Sequence, residues 1–360
     1  MGTRKYISEA SLPEWLMELG RERRVIVPRR EGYVVVPKVY EGGPVLFERA
    51  TTAPKAAVLP PCEELLRYTK VKNPAGHADP GISSIEIDDS VTVDAGLLFG
   101  FRPCDARGFV AIDRTCLDQG TVKDPYYQAR REVLAIATLT CAHPASTCFC
   151  HWLNSGPDDP EGSDLMLTAI EGGYAVEAVT EQGEVFLKSP RLEDGAGRAE
   201  IVQTAREAAR KRLGPKQSLE GAAAGLKAAF SDMDFWIAMS DRCIACGACT
   251  YMCPTCSCFN ITDEEAGLSG TRLRTWDSCM AAYFAREASG HNPRPSKAQR
   301  WRNRAGHKFA YHPALFVGTP ACTGCGRCIM GCPSSVDIRA ILLEAAKYAA
   351  AATSEGAADA

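Results

Sequence analysis

The sequence predicts an N-terminal mixed α/β domain, of α+β or α/β type, followed by a smaller cysteine-rich domain. Three observations carry this. Two continuous apolar runs, VTVDAGLLFGF and EVLAIATLT, have the uninterrupted pattern of strands buried on both faces of a sheet. The cysteines are concentrated: eleven of 17 lie between Cys243 and Cys332. Within that stretch C-x2-C-x2-C-x3-C-P occurs twice, which is the run of a two-cluster ferredoxin. The second domain is therefore expected to be a dicluster ferredoxin-like domain, with a long insertion at 259–317 between its two motifs. The 360-residue length suits two domains. The expected division is 1–220, 221–346 and a flexible tail at 347–360.

Taken in order, Ser11 to Leu19 reads as a helix, with Ser11 and Glu14 as a capping box and Pro13 in the first turn. RVIVP and YVVVPKV read as strands separated by Gly32. Residues 51–90 are punctuated by Pro and Gly and show no clear element. VTVDAGLLFGF then ends in RPCDARG and leads into a helix through Ile112 and Leu117. EVLAIATLT ends in CAHP. Cys104 and Cys141 thus both follow the carboxyl ends of buried strands, where α/β sheets place ligands. DLMLTAI, YAVEAVT and EVFLKS read as antiparallel strands joined by EGG and EQG turns. A helix is expected over 200–213, and GPKQS reads as a linker within a boundary region at 214–230. The Ala-rich end after Lys347 reads as frayed.

Composition narrows the function. With 46% hydrophobic and 24% charged residues the chain is not disordered. No apolar run approaches a membrane span and the N-terminus lacks the apolar core of a signal peptide, which points to a cytoplasmic protein. In that setting clustered cysteines are metal ligands before they are disulfides. A net charge of −3 argues against a nucleic-acid binder.

The spacing of each motif lets three thiolates wrap one cubane, while the fourth Cys reaches the other cluster. One [4Fe–4S] cluster is accordingly assigned to Cys243, Cys246, Cys249 and Cys332, and a second to Cys322, Cys325, Cys328 and Cys253. Gly247, Gly324 and Gly326 permit the close wrap. A zinc module is the competing reading of paired C-x2-C units, but zinc needs four ligands, not two quartets each closed by Pro. Cys256, Cys258 and Cys279 read as buried, inert thiols. Cys104, Cys141, Cys148 and Cys150 form a further set of four, read as a third [4Fe–4S] site in the N-terminal domain, with four unrelated thiols as the alternative. His143 and His151 flank this set as neighbours, since four thiols already suffice. Cys62 and Cys116 read as structural.

The insertion is basic, with Arg272, Arg274, Arg294, Lys297, Arg300, Arg302, Arg304 and Lys308 around Trp301. A solvated face is one reading; the preferred one is that some of these cations compensate cluster charge or meet an acidic partner. G-x-G-x-x-G, a P-loop, H-E-x-x-H and G-x-S-x-G are all missing, and no spare C-x2-C pair could hold a [NiFe] site. The chain reads as electron wiring, with no catalytic residue assigned.

FGFRPCD, RREVLAIATLTCAHPASTCFC, DRCIACGACTYMCPTCSCF, RTWDSC, GHNPRPSKAQRWRNR and CTGCGRCIMGCP occur in this order over roughly residues 90–345. In this the chain resembles the beta subunits of cytoplasmic sulfhydrogenases (hydrogenase/sulfur reductases) and is similar to the A-type subunits of anaerobic sulfite reductases. GHNPRPSKAQRWRNR favours the hydrogenase side. The resemblance implies an electron-transfer subunit of a soluble oxidoreductase. Its partners would be the small and large subunits of a [NiFe] hydrogenase, or a sirohaem subunit, together with a reductase subunit that binds FAD and NAD(P). FAD would then sit in the partner, although a flavin enzyme in its own right is a further alternative. The ligand roles carry over to the eight motif cysteines. The family retains positions 104, 141, 148 and 150, whose role is inferred here from chemistry, and it varies just before Cys104.

Overall fold

The computed structural model describes residues 4–45, 47–78, 81–118, 122–316 and 318–358, with side chains to residue 351. Twelve strands occur among them: β1 (Arg4–Ser8), β2 (Arg24–Glu31), β3 (Val34–Val39), β4 (Cys62–Lys72), β5 (Ile82–Asp88), β6 (Gly96–Phe101), β7 (Leu134–Leu139), β8 (Leu165–Ile170), β9 (Gly173–Ala178), β10 (Glu193–Asp194), β11 (Phe259–Ala266) and β12 (Ser269–Trp276). Eight form one sheet in the order β10-β1-β9-β8-β7-β6-β2-β3. Its centre, β2, β6, β7 and β8, is parallel; the flanking strands are antiparallel.

The two apolar runs contain β6 and β7, every residue of which is buried, whereas 91–95 of the first run precede the strand and lie largely exposed. Leu97, Phe99 and Ala137 face one core with Trp15, Leu165 and Val176; Leu98, Phe101 and Ile136 face the other with Phe109 and Tyr127. Strict alternation would put Phe101 with Phe99. A register shift between Phe99 and Phe101, made at Gly100 with φ 80°, moves it to the opposite face. Because β6 and β7 are parallel neighbours, their carboxyl ends open side by side. Cys104 therefore starts the helix Pro103–Cys116 next to Cys141, which follows β7.

Three local expectations need correction. EVFLKS is not a strand: Glu181–Phe186 is a helix whose N-cap Thr180 accepts from the Gly183 N–H, with Glu181 and Glu184 in the first turn. The capping box at Ser11 does not form; the Ser11 hydroxyl pairs with Ser8 and Glu14 pairs with Arg191. Residues 51–90 do carry structure, a turn at Pro54–Ala57 and then β4 and β5.

β4 and β5 form a second sheet with the hairpin of the insertion, in the order β11-β12-β4-β5. The insertion thus pairs with residues some 200 positions earlier, for instance Arg274 beside Glu63. Arg274 is buried there between Glu63 and Asp124. Past the hairpin, Lys297–Gly306 is helical and continues as a π-helical turn, His307–Tyr311. The last helix runs Ile338–Ala358 and packs on Ala222–Ala228; a Cβ on Gly225 would stand 1.7 Å from the Ala345 carbonyl oxygen. These helices enclose the third core, around Trp236, Trp301 and Leu342, into which Cys243, Cys249, Cys322, Cys328 and Cys332 also pack.

Candidate metal centres

The two motifs fold into the same loop. In the first, Ala245 and Gly247 have φ 57° and 77°; in the second, Gly324 and Gly326 have φ 64° and 70°. Each loop ends in a one-turn helix, Ala248–Tyr251 and Arg327–Met330. The left-handed residues turn the backbone N–H groups inward: Ala245 N donates to Cys243 Sγ at 3.3 Å and Gly324 N to Cys322 Sγ at 3.5 Å. Val336 N likewise donates to Cys332 Sγ at 3.3 Å. Such donors stabilise thiolate over thiol.

Cys243, Cys246 and Cys249 line one cavity together with Cys332 from the other motif. Cys328 lies on the same wall. Cys253 is buried and near Cys322 and Cys328, whose thiols burial pushes up, that of Cys322 to about 12. Cys325 faces the opposite way, onto the wall of a second cavity.

That second cavity is lined by Cys104, Cys141, Cys148 and Cys150. Four of the nine cysteines outside the motifs thus share one space. Pro103, Pro144 and Pro157 help close it, and Arg49 and Arg102 reach its wall. His143 and His151 do not line it. Cys62 lies exposed on β4, and Cys116 ends the helix that Cys104 begins. Burial raises the thiol pKa of Cys104, Cys141 and Cys150, the last to about 12. Only a strong positive partner would hold such thiols ionised.

Cations do stand beside other thiols, those of the motif half and Cys148. Arg304 and Lys308 are 2% and 3% exposed, and Lys55 is 4% exposed. None of the three has a carboxylate within 4.0 Å among the described residues, and the same holds for Arg49 and Arg102. Their partners are thiols and carbonyls instead. Lys308 Nζ lies 3.5 Å from Cys253 Sγ, Arg304 Nη1 3.6 Å from Cys256 Sγ, and Arg49 Nη1 3.3 Å from Cys148 Sγ. Lys55 Nζ donates to the Cys256 carbonyl at 2.7 Å and sits over the Trp276 ring. Buried cations without anions cost several kcal/mol each. Thiolate-bound clusters supply the missing negative charge, so the residues present fit such groups.

Single zinc ions fit less well. Thiolates on one zinc converge on one point, whereas those on a cubane each hold a different iron. Among the described residues no three His, Cys, Asp or Glu side chains converge for a single ion. Cys256, Cys258 and Cys279 sit beside the motifs: the Cys253 and Cys256 thiols are hydrogen-bonded, as are those of Cys258 and Cys279.

The basic insertion divides by role. Arg304 and Lys308 face thiols, and Lys297 holds the Asp241 and Cys243 carbonyls at 2.6 and 3.1 Å. Arg272 pairs with Asp263, Arg300 holds the Arg294 and Pro295 carbonyls, and Arg302 covers Phe230. Arg49 and Lys55 are further members of the site that the sequence reading missed. They are isolated basic residues in segments without periodicity, and no local pattern marks them.

Residues 242–336 match the family model of the 4Fe-4S dicluster domain. Sulfhydrogenase 2 subunit beta of Pyrococcus furiosus is 32% identical over 246 residues, which cover 67% of this chain and 71% of that one. No solved structure matches. Among the described residues no helix is long and apolar enough to cross a membrane.

Proposed function

The chain belongs to the sulfhydrogenase beta-subunit family, and from that premise we propose that it relays electrons between a partner's flavin and a [NiFe] hydrogenase pair. Iron–sulfur electron transfer within an oxidoreductase is the family's common ground. The finer reading is that one partner binds FAD and NAD(P), the others are hydrogenase small and large subunits, and this chain carries three clusters.

The ligand sets are Cys243, Cys246, Cys249 and Cys332; Cys322, Cys325, Cys328 and Cys253; and Cys104, Cys141, Cys148 and Cys150. Bound [4Fe–4S] clusters supply one-electron transfer at potentials set by net charge and by hydrogen bonds to sulfur. The protein's own residues provide those terms. Backbone N–H groups of Ala245, Gly324 and Val336 point at ligand sulfurs, and Arg49, Arg304 and Lys308 bring uncompensated positive charge. The observation that carries the third site is the shared cavity of the four N-terminal cysteines with two arginines in its wall.

Iron and acid-labile sulfide per chain test this after anaerobic purification. About twelve iron are expected for three cubanes, falling to about eight in Cys150→Ala with both motif clusters still present in EPR. About eight in the unaltered protein would remove the third cluster. Cys253→Ser should damage the cluster of Cys322, Cys325 and Cys328; loss of the other motif's cluster instead would overturn the crossed ligation. Co-purification of hydrogenase subunits, against a sirohaem subunit, decides the partners.

A further inference from the structure

The second motif stands between the other two sets of ligands. Cys328 lies on the wall of the first-motif cavity, and Cys325 on the wall of the N-terminal one. Among the described residues none lines both cavities.

The second-motif loop is packed backbone to backbone against the segment carrying Cys148 and Cys150. Phe149 N donates to the Gly324 carbonyl at 2.8 Å. A Cβ on Gly324 would stand 2.5 Å from Cys150 N, and one on Gly326 would stand 2.4 Å from the Thr147 carbonyl oxygen. The matching position of the first motif is Ala245, which holds the same left-handed turn with a side chain in place. That loop instead faces outward: Cys246 is exposed and Ile244 is 65% exposed. Two loops of the same shape therefore do different jobs, one buried against a neighbour and one open at the surface.

Two arginines cross the inner junction in opposite directions. Arg327, next to Cys328, donates to the Ala50 carbonyl at 2.9 Å and pairs with Asp105, next to Cys104. Arg49, next to Ala50, comes from the N-terminal domain. Its Nη1 lies 3.3 Å from Cys148 Sγ and its Nη2 2.5 Å from the Cys325 carbonyl oxygen. Asp105 neutralises Arg327, whereas Arg49 has no carboxylate within 4.0 Å among the described residues. Its positive charge is left to the two ligand sets it touches.

We infer that the N-terminal quartet is coupled to the second motif and through it to the first, and that Arg49 is the positioning residue of this junction, joining the two ligand sets and raising the potentials of both. This rests on the reading of the quartet as a cluster site. It gives the path one end at the quartet and the other at the exposed Cys246.

Redox titration followed by EPR on the full chain tests it, with iron counted in every sample. Arg49→Met is expected to keep about twelve iron and to move two midpoints to lower potential, those of the quartet and of the second motif. The first-motif midpoint should stay in place. Arg49→Lys, which keeps the charge, should return both midpoints most of the way. In the fully reduced protein, Cys150→Ala should sharpen the second-motif signal by removing a neighbouring spin and leave the first-motif signal unchanged. Arg49→Met with iron retained and all midpoints unmoved would overturn the role of Arg49. Sharpening of the first-motif signal in Cys150→Ala would overturn the order. If Arg49→Met lost iron, the midpoints of Arg49→Lys and Arg49→Gln would decide the same question, since only Gln removes the charge. About eight iron in the unaltered protein would instead fail the underlying reading, and the inference with it.

Discussion

Arg327 and Asp105 are 0% and 1% exposed and meet at 2.7 Å. The pair ties the one-turn helix of the second motif to the helix that Cys104 begins, which is why neither charge stands alone. Removing one partner of such a buried pair leaves the other uncompensated, at a cost of about 3–5 kcal/mol. Arg327→Met and Asp105→Asn should each lower stability by about that much, measured by urea unfolding of the iron-loaded protein. The double variant should recover part of the loss, because it leaves no orphaned charge. Single variants within about 0.5 kcal/mol of the parent, the usual range for surface changes, would show that solvent already reaches the pair. The contrast with Arg304, Lys308 and Arg49 is chemical. Arg327 has its own carboxylate and serves the junction, whereas the others lack one and serve the thiols.

The loops show how one residue type answers two demands. Gly32, in the turn between β2 and β3, has φ 58° and nothing within 4 Å of where a Cβ would stand. Gly324 has φ 64° and would place a Cβ 2.5 Å from Cys150 N. Alanine at either position meets the left-handed penalty of roughly 1–2 kcal/mol. Only at Gly324 must the backbone also move, and there it moves away from the quartet. Gly32→Ala should therefore lower the melting temperature by a few degrees with iron unchanged. Gly324→Ala should lose iron from the N-terminal set. Full iron in Gly324→Ala, with its EPR signals unaltered, would mean that the loops can separate without consequence. Elements of this kind were legible to different depths. β6 and β7 could be read because full burial leaves an uninterrupted apolar run, and the motifs because cluster wrapping fixes the spacing. Glu181–Phe186 misled because six residues with Val185, Phe186 and an adjacent Leu187 carry too little periodicity to separate strand from helix. β4 could not be placed because its neighbour on one side, β12, lies some 200 residues away. Arg49 and Lys55 were invisible for the same reason: their partners come from the far half of the chain.

At the scale of the molecule, the cores differ in what they need. The core of Trp15, Leu97, Phe99, Leu165 and Val176, on one face of the large sheet, contains no cysteine. The core of Trp236, Trp301 and Leu342 includes Cys279 and has five motif cysteines packed into it. Arg304 and Lys308 lie against those thiols, so its electrostatic balance depends on anions that the side chains alone do not provide. Ligand thiols that lose their iron take up protons at neutral pH, because burial raises the pKa of Cys322, Cys328 and Cys249. Arg304 then faces the neutral thiols of Cys249 and Cys256 in a dry interior, an arrangement that opens to water before it persists. Anaerobic removal of iron by a chelator should therefore abolish hydrogen-exchange protection in Lys297–Tyr311 and around residues 322–332. Protection in β6, β7 and β8 should survive, since their hydrogen bonds and their packing with Trp15 involve no ligand. Loss of protection in β6–β8 at the same rate would mean that the Arg327–Asp105 junction binds the halves into one cooperative unit. Full protection in both would mean that the thiols and cations are balanced without metal, and the charge argument for clusters at these positions would fall.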